Sequence, residues 1–244
     1  EAVLEVRDNL LNEDTFINYN YTPASPLLLV GESTLYVTAT TSNGVSKVLL
    51  DSDGAEEQSF IPTGSWPTGL ALTEDGNTLL VTQTGRDSLG FIDMETGKLT
   101  DAIRIGDEPT GIVVDGTTAW VALSGANQVA QVDLTERALV STIDVGREPR
   151  AMAYDESRKR LYVASLISSN EHPQGPLFDG TNIPEMTLKD ISIIDTEAGV
   201  LEATIPHVGT ILRGVWLTED GNTLVVGVSH SLNELLAVDA DSRP

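Results

Sequence analysis

The stretch Pro67-Thr68-Gly69-Leu70-Ala71-Leu72-Thr73-Glu74-Asp75-Gly76-Asn77-Thr78-Leu79-Leu80-Val81-Thr82 decides how this chain is read. Two short apolar runs flank a polar tetrad. Gly76 allows positive φ, and Asp75 and Asn77 can hydrogen-bond their own backbone, so Glu74-Asp75-Gly76-Asn77 reads as a tight hairpin turn. The runs are rich in Leu, Val and Thr, as strands are. The unit recurs. Pro109-Thr110-Gly111-Ile112-Val113-Val114 leads to Trp120-Val121-Ala122, and Pro149-Arg150-Ala151-Met152-Ala153-Tyr154 leads to Leu161-Tyr162-Val163-Ala164. Leu212-Arg213-Gly214 leads through Glu219-Asp220-Gly221-Asn222 to Leu224-Val225-Val226. A degraded copy comes first, with 12 residues from Pro23 to Leu35, as from Pro67 to Leu79.

Each unit continues into a third strand ending in Asp: Asp51, Asp93, Asp133, Asp195 and Asp239, at spacings of 42, 40, 62 and 44. A fourth strand follows in most units, as in Leu99 to Ile105. The 62-residue interval carries an inserted loop at about 168–189. No segment shows a helical stripe of ten residues. Four strands per unit, repeated radially, predict an all-β chain, a β-propeller of four-stranded antiparallel blades with five recognisable repeats. Residues 23–244 are the repeats. Residues 1–22 are an N-terminal extension or a closing strand, with Val3-Leu4-Glu5-Val6 as its candidate. The recurring Asp93, Asp133, Asp195 and Asp239 are expected to accept backbone N–H bonds in the turn after the strand, a structural duty.

The chain of 244 residues carries 14 Lys plus Arg against 37 Asp plus Glu, a net charge of −23. Such an acidic protein repels phosphate backbones, so no nucleic-acid partner is expected. Cysteine is absent, which excludes thiolate catalysis, Cys-ligated zinc and covalent haem attachment within this chain. No apolar run reaches the roughly 18 residues of a membrane helix, so no membrane insertion is expected. A start without Met reads as a mature or trimmed product.

These units resemble the YVTN family of β-propeller repeats. The resemblance rests on the Gly-x-x-Pro-x-Gly lead-ins (Gly64 to Gly69, Gly106 to Gly111) and the Asp75-Gly76 turn. The strands Leu35-Tyr36-Val37-Thr38, Leu79-Leu80-Val81-Thr82 and Leu161-Tyr162-Val163-Ala164, with Ile191-Ser192-Ile193-Ile194-Asp195-Thr196, add to it. It covers roughly 23–244, is specific for fold and nearly silent on function. It implies rings that commonly close with seven blades, so the five units read either as a five-unit ring or as part of a seven-bladed one. Val228-Ser229-His230-Ser231-Leu232-Asn233-Glu234-Leu235 is loosely similar to the last-blade strands of propellers that accompany c-type cytochrome domains in exported bacterial proteins. By that likeness, haem would sit only in a separate domain.

Ligands of propellers meet loops at a mouth of the central channel. The residue after each lead-in proline, or its counterpart, starts the innermost strand: Thr68, Thr110, Arg150 and Arg213. An arginine there can hold a carboxylate or phosphate bidentately; pairing with acids such as Glu108 and Glu148 is the alternative. Trp66, Trp120 and Trp216 are expected to pack between blades, and Trp66, in a lead-in loop, is the best candidate of the three for an exposed stacking surface. In the insert, Leu177, Phe178 and Ile183 offer apolar contacts, and Glu171, His172 and Asp179 offer metal ligands or acid–base groups. The alternative is a plain surface loop. His172, His207 and His230 lack close spacing for a metal. Asp51-Ser52-Asp53-Gly54 is similar to the opening of a calcium loop but lacks its distal ligands, leaving calcium or a simple Asp turn. No Gly-x-Ser-x-Gly, P-loop or dinucleotide fingerprint is present.

The expected function is a non-enzymatic binding scaffold, periplasmic or extracellular, for a protein or small ligand. Two alternatives stay open: an accessory propeller domain of a c-type cytochrome redox enzyme, and a hydrolase or lyase with its site at the channel mouth. Self-association, or a docked cytochrome domain, would cover any exposed blade faces.

Overall fold

The computed structural model describes residues 24–167, 189–206, 208–209 and 211–229, and the backbone of a last strand at 235–239. The chain is an all-β propeller of five successive antiparallel sheets. Blade 1 contains β1 (Leu27–Val30), β2 (Thr34–Ala39), β3 (Gly44–Asp51) and β4 (Gly54–Pro62). Blade 2 contains β5 (Pro67–Leu72), β6 (Thr78–Gln83), β7 (Ser88–Asp93) and β8 (Lys98–Arg104). Blade 3 contains β9 (Pro109–Asp115), β10 (Thr118–Leu123), β11 (Gln128–Asp133) and β12 (Ala138–Asp144). Blade 4 contains β13 (Arg147–Asp155), β14 (Arg160–Ile167), β15 (Ile191–Asp195) and β16 (Val200–Ile205). Among the described residues blade 5 has three strands, β17 (Leu212–Leu217), β18 (Thr223–Val228) and β19 (Leu235–Asp239).

The first strand of each blade is the innermost, and successive first strands touch: β5 meets β9, β9 meets β13, and β13 meets β17. This close approach explains the glycine of the lead-in. A Cβ at Gly69 would fall on the Thr110 carbonyl, and one at Gly111 on the Arg150 carbonyl. Outward from this axis the blades pack face to face through four apolar layers, one at each blade–blade junction. Both faces of an inner blade are covered. Its strands are therefore apolar on both sides, which is why β6 reads Leu79-Leu80-Val81 without alternation. In β10, Trp120 is 1% exposed and fills the layer between blades 3 and 4.

The Asp turns form as the sequence implies. Asp51 Oδ1 accepts the N–H groups of Asp53 and Gly54, at 2.8 and 3.0 Å. Asp93 Oδ1 takes both the N–H and the hydroxyl of Thr96, at 2.7 and 2.6 Å. Asp133 and Asp195 each accept two backbone N–H groups in the same way. The turns between first and second strands build on Thr73–Asp75 and Thr218–Asp220 hydroxyl–carboxylate bonds, both 2.6 Å. This end of the propeller is also latched from blade to blade. Glu74 accepts the Gly116 N–H at 2.7 Å, Lys159 reaches Asp115 at 3.0 Å, and Arg158 reaches the Gly221 carbonyl at 2.7 Å. The extension 1–22 and most of the insert, 168–188, lie outside the described residues.

Candidate functional site

The other end of the propeller carries the lead-in loops and the turns between second and third strands. Three lead-in residues there sit in the left-handed region: Trp66 (φ 55°), Glu108 (φ 50°) and Glu148 (φ 48°). A bulky residue rarely adopts that conformation without being held. The holders are Asn43, Asp87 and Asn127, themselves left-handed at φ 56°, 55° and 58°. Asn43 Oδ1 accepts the Trp66 N–H at 3.1 Å, Asp87 Oδ1 the Glu108 N–H at 3.4 Å, and Asn127 Oδ1 the Glu148 N–H at 2.9 Å. From the other side, the Thr84 N–H binds the Trp66 carbonyl at 3.0 Å, and the Ser124 N–H binds the Glu108 carbonyl at 2.9 Å. Trp66 and Glu108 are thus gripped at both backbone groups and Glu148 at its N–H, and their side chains are displayed from a fixed frame. Blade 4 departs from this device: neither Asp190 nor Val208 is left-handed, and the counterpart of Trp66 is Ile211, whose carbonyl accepts the Ser229 N–H at 2.8 Å. Asp190, fully buried, accepts the Val208 N–H at 2.8 Å.

Behind this frame runs a ladder of hydroxyls that staples each blade to the next. Thr40 donates to the Pro67 carbonyl at 2.7 Å, Thr84 to the Pro109 carbonyl at 2.6 Å, and Ser124 to the Pro149 carbonyl at 2.7 Å. Thr68 and Thr110 belong to this ladder. Both are 0% exposed. Thr68 lies 2.7 Å from the Thr84 hydroxyl, and Thr110 lies 3.0 Å from the Ser124 hydroxyl and 3.2 Å from the Pro149 carbonyl. Their hydroxyls are engaged between blades.

Arg150 has its side chain 12% exposed, and its Nη2 meets Glu148 at 3.2 Å. The pairing with acidic neighbours is therefore present for this arginine. Arg213 stands exposed at the start of β17. Trp66 is 52% exposed and displays its indole at this end. Burial pushes the Glu108 carboxyl up, with Asp107, Glu148 and Asp87 adding repulsion and Arg150 partly offsetting it. His172, Phe178 and Asp179 lie outside the described residues, as do His207 and His230. The insert departs from this end, because Ile167 and Lys189 stand where the other blades have their short turns; the Ser165 hydroxyl donates to the Lys189 carbonyl at 2.9 Å.

Among the described residues, no group of three or more His, Asp or Glu is placed to hold a metal ion. A hollow of about 180 Å³ lies between blades 1 and 2, lined by Tyr36, Lys47, Asp93 and Glu95 among others. Pockets for drug-sized ligands are typically about 300–1,000 Å³. The gripped lead-ins are the feature sequence reasoning missed. Their signal was available: Asn43, Asp87 and Asn127 each immediately precede a third strand. Trp216 differs from the interblade packing expected of it. It lies on the outer face of blade 5, 58% exposed, with its ring across Gly214 and Gly227.

A scan against protein-family models finds no match, and neither does a comparison with curated proteins. Solved structures do match. A chain of hydrazine synthase from Kuenenia stuttgartiensis aligns over 88% of this chain with a TM-score of 0.68 and 23% identity. A protein of unknown function from Desulfotomaculum acetoxidans aligns over 92% with a TM-score of 0.66 and 13% identity. A candidate 6-phosphogluconolactonase from Bacteroides uniformis aligns over 88% with a TM-score of 0.65 and 15% identity. The chain spans 58% of the hydrazine synthase chain, and 71% and 69% of the other two. At these identities the likeness is one of fold.

Proposed function

We propose that this chain is a non-enzymatic binding scaffold, working outside the cytoplasm, that receives a protein or small ligand on the lead-in end of the propeller. One observation carries the reading. At Trp66, Glu108 and Glu148 the backbone N–H is held by an Asn or Asp side chain of the preceding blade in a shared left-handed conformation, while the displayed side chains differ from blade to blade. A fixed frame with variable display is how rigid folds present recognition loops. An exposed indole on the same end as the Glu108 and Glu148 carboxylates suits a cationic or amphipathic partner, through the ring face and through charge. The insert leaves the fold from the same end and would enlarge the surface. Kinship with YVTN repeats, on the lead-ins and strand signatures, belongs to this proposal and fits the exported setting.

The test is retention of binding partners from the native extracellular or periplasmic fraction on immobilised protein. Wild type is expected to retain a partner that Trp66→Ala and Glu108→Gln lose, with both variants folded. Retention unchanged in both variants would refute the reading.

A further inference from the structure

Among the described residues, each inner blade has both of its faces covered by neighbouring blades, while blades 1 and 5 each have one face with no blade against it. The face that blade 2 turns toward blade 1 includes Leu70, Leu79, Val81 and Ile92, at 4%, 0%, 0% and 0% exposure. Strand register sets the equivalents in blade 1. Leu70 pairs with Val81 and Leu72 with Leu79; Leu27 pairs with Val37 and Leu29 with Leu35 in the same geometry. Blade 1 therefore carries the apolar positions of a blade-docking face on its first three strands, with Glu57 where blade 2 has Leu99, and its Leu27 and Leu29 are 58% and 54% exposed.

The opposite face has its own code. On the first and second strands, inner blades pair a smaller residue with a larger one: Ala71 with Leu80, Val113 with Trp120, Ala153 with Tyr162. Blade 5 keeps the pair with sizes exchanged, as Trp216 opposite Val225. This pair lies on the face away from blade 4, whose packing uses Leu212, Val215, Leu224 and Val226.

The two open faces are thus the two halves of one interface that the fold already forms four times. We propose that the Trp216 face of one copy of this chain docks on the Leu27–Leu29 face of a second copy, head to tail, continuing the blade stacking across the junction. A second copy is the occupant indicated because one chain holds both complementary halves at opposite ends. Glu57 brings a carboxylate to the edge of the blade 1 face, and the net charge of −23 also opposes association. Such a contact is heterologous and leaves one face of each kind free on a dimer.

Sedimentation velocity on the purified chain tests this. Species heavier than 26.1 kDa are expected to grow with protein concentration, and to grow further with added salt as repulsion is screened. Leu27→Glu with Leu29→Glu blocks one face, and Trp216→Glu blocks the other. Each blocked protein is expected to lose at least about tenfold in self-association while keeping its far-UV dichroism. Mixed together, the two should form a 1:1 pair, because each retains the half the other lacks. Val200→Glu, at another exposed apolar site away from both faces (51% exposed), should leave association unchanged. A wild-type monomer at every concentration, or folded blocked variants that fail to pair on mixing, would overturn the proposal.

Discussion

Asn127 illustrates how single residues fix this surface. Its carboxamide oxygen holds the Glu148 N–H, and its own backbone is left-handed at φ 58°. Replacement by glycine keeps the conformation and removes only the bond, while alanine also opposes the conformation. We expect Asn127→Gly to cost about 0.5–1.5 kcal/mol and Asn127→Ala about 1 kcal/mol more, read by urea denaturation. Thr84 is a second case, 3% exposed and donating to the Pro109 carbonyl. Thr84→Val preserves shape but leaves that carbonyl only the longer bond from the Thr68 hydroxyl at 3.3 Å, and about 0.5–1.5 kcal/mol of stability should be lost. Some residue roles were legible in the sequence. The recurring Asp at strand ends was one, because the carboxylate needs only the N–H groups of its own turn. The places of Thr68 and Thr110 were not. When both faces of a strand are apolar, alternation cannot say whether the residue after the proline faces the channel or the next blade.

The turns set how this protein answers to pH. The Thr73 hydroxyl and the Asn77 N–H hold the Asp75 carboxyl below the usual carboxylate range. The Thr96 hydroxyl and N–H do so for Asp93, and the Thr218 hydroxyl and Asn222 N–H for Asp220. With folded values below the unfolded one, the folded state binds fewer protons in acid. Their contribution is present above the unfolded value of about 3.9 and is lost as pH falls through the lower folded values. Glu108 acts oppositely, since its raised value means that protonation relieves burial and repulsion. Thermal melts from pH 7 downward should therefore rise or hold as acidic repulsion fades, then drop below about pH 4. Asp75→Asn with Asp220→Asn should make that acid drop shallower. The strands and most turns were readable from composition and spacing, because each is a local choice. The Asx grips were not read, since they join residues 21 to 23 positions apart across a blade boundary.

At the scale of the whole molecule, repetition made the propeller plain and left its completion open. Blade identity is written into each unit, but ring closure depends on contacts between sequence-distant faces. Leu27 and Trp216 show why: each has the residue type of a buried interface, and neither has its covering partner among the described residues. The insert was legible as an interruption at 168–189, and the structure adds that it leaves from the lead-in end. The two ends of the propeller differ in kind. At one end the turns satisfy and latch themselves; at the other a gripped frame displays an indole and a set of acids.

That contrast can be put to a direct measurement. A photo-crosslinking residue placed at Ser65, on the lead-in end, or at Glu95, on the latched end, would be exposed to the native extracellular or periplasmic fraction and its adducts identified by mass spectrometry. The binding-scaffold account predicts a defined partner adduct from position 65 and none from position 95. Equal labelling from both ends, or labelling from position 95 alone, would contradict it.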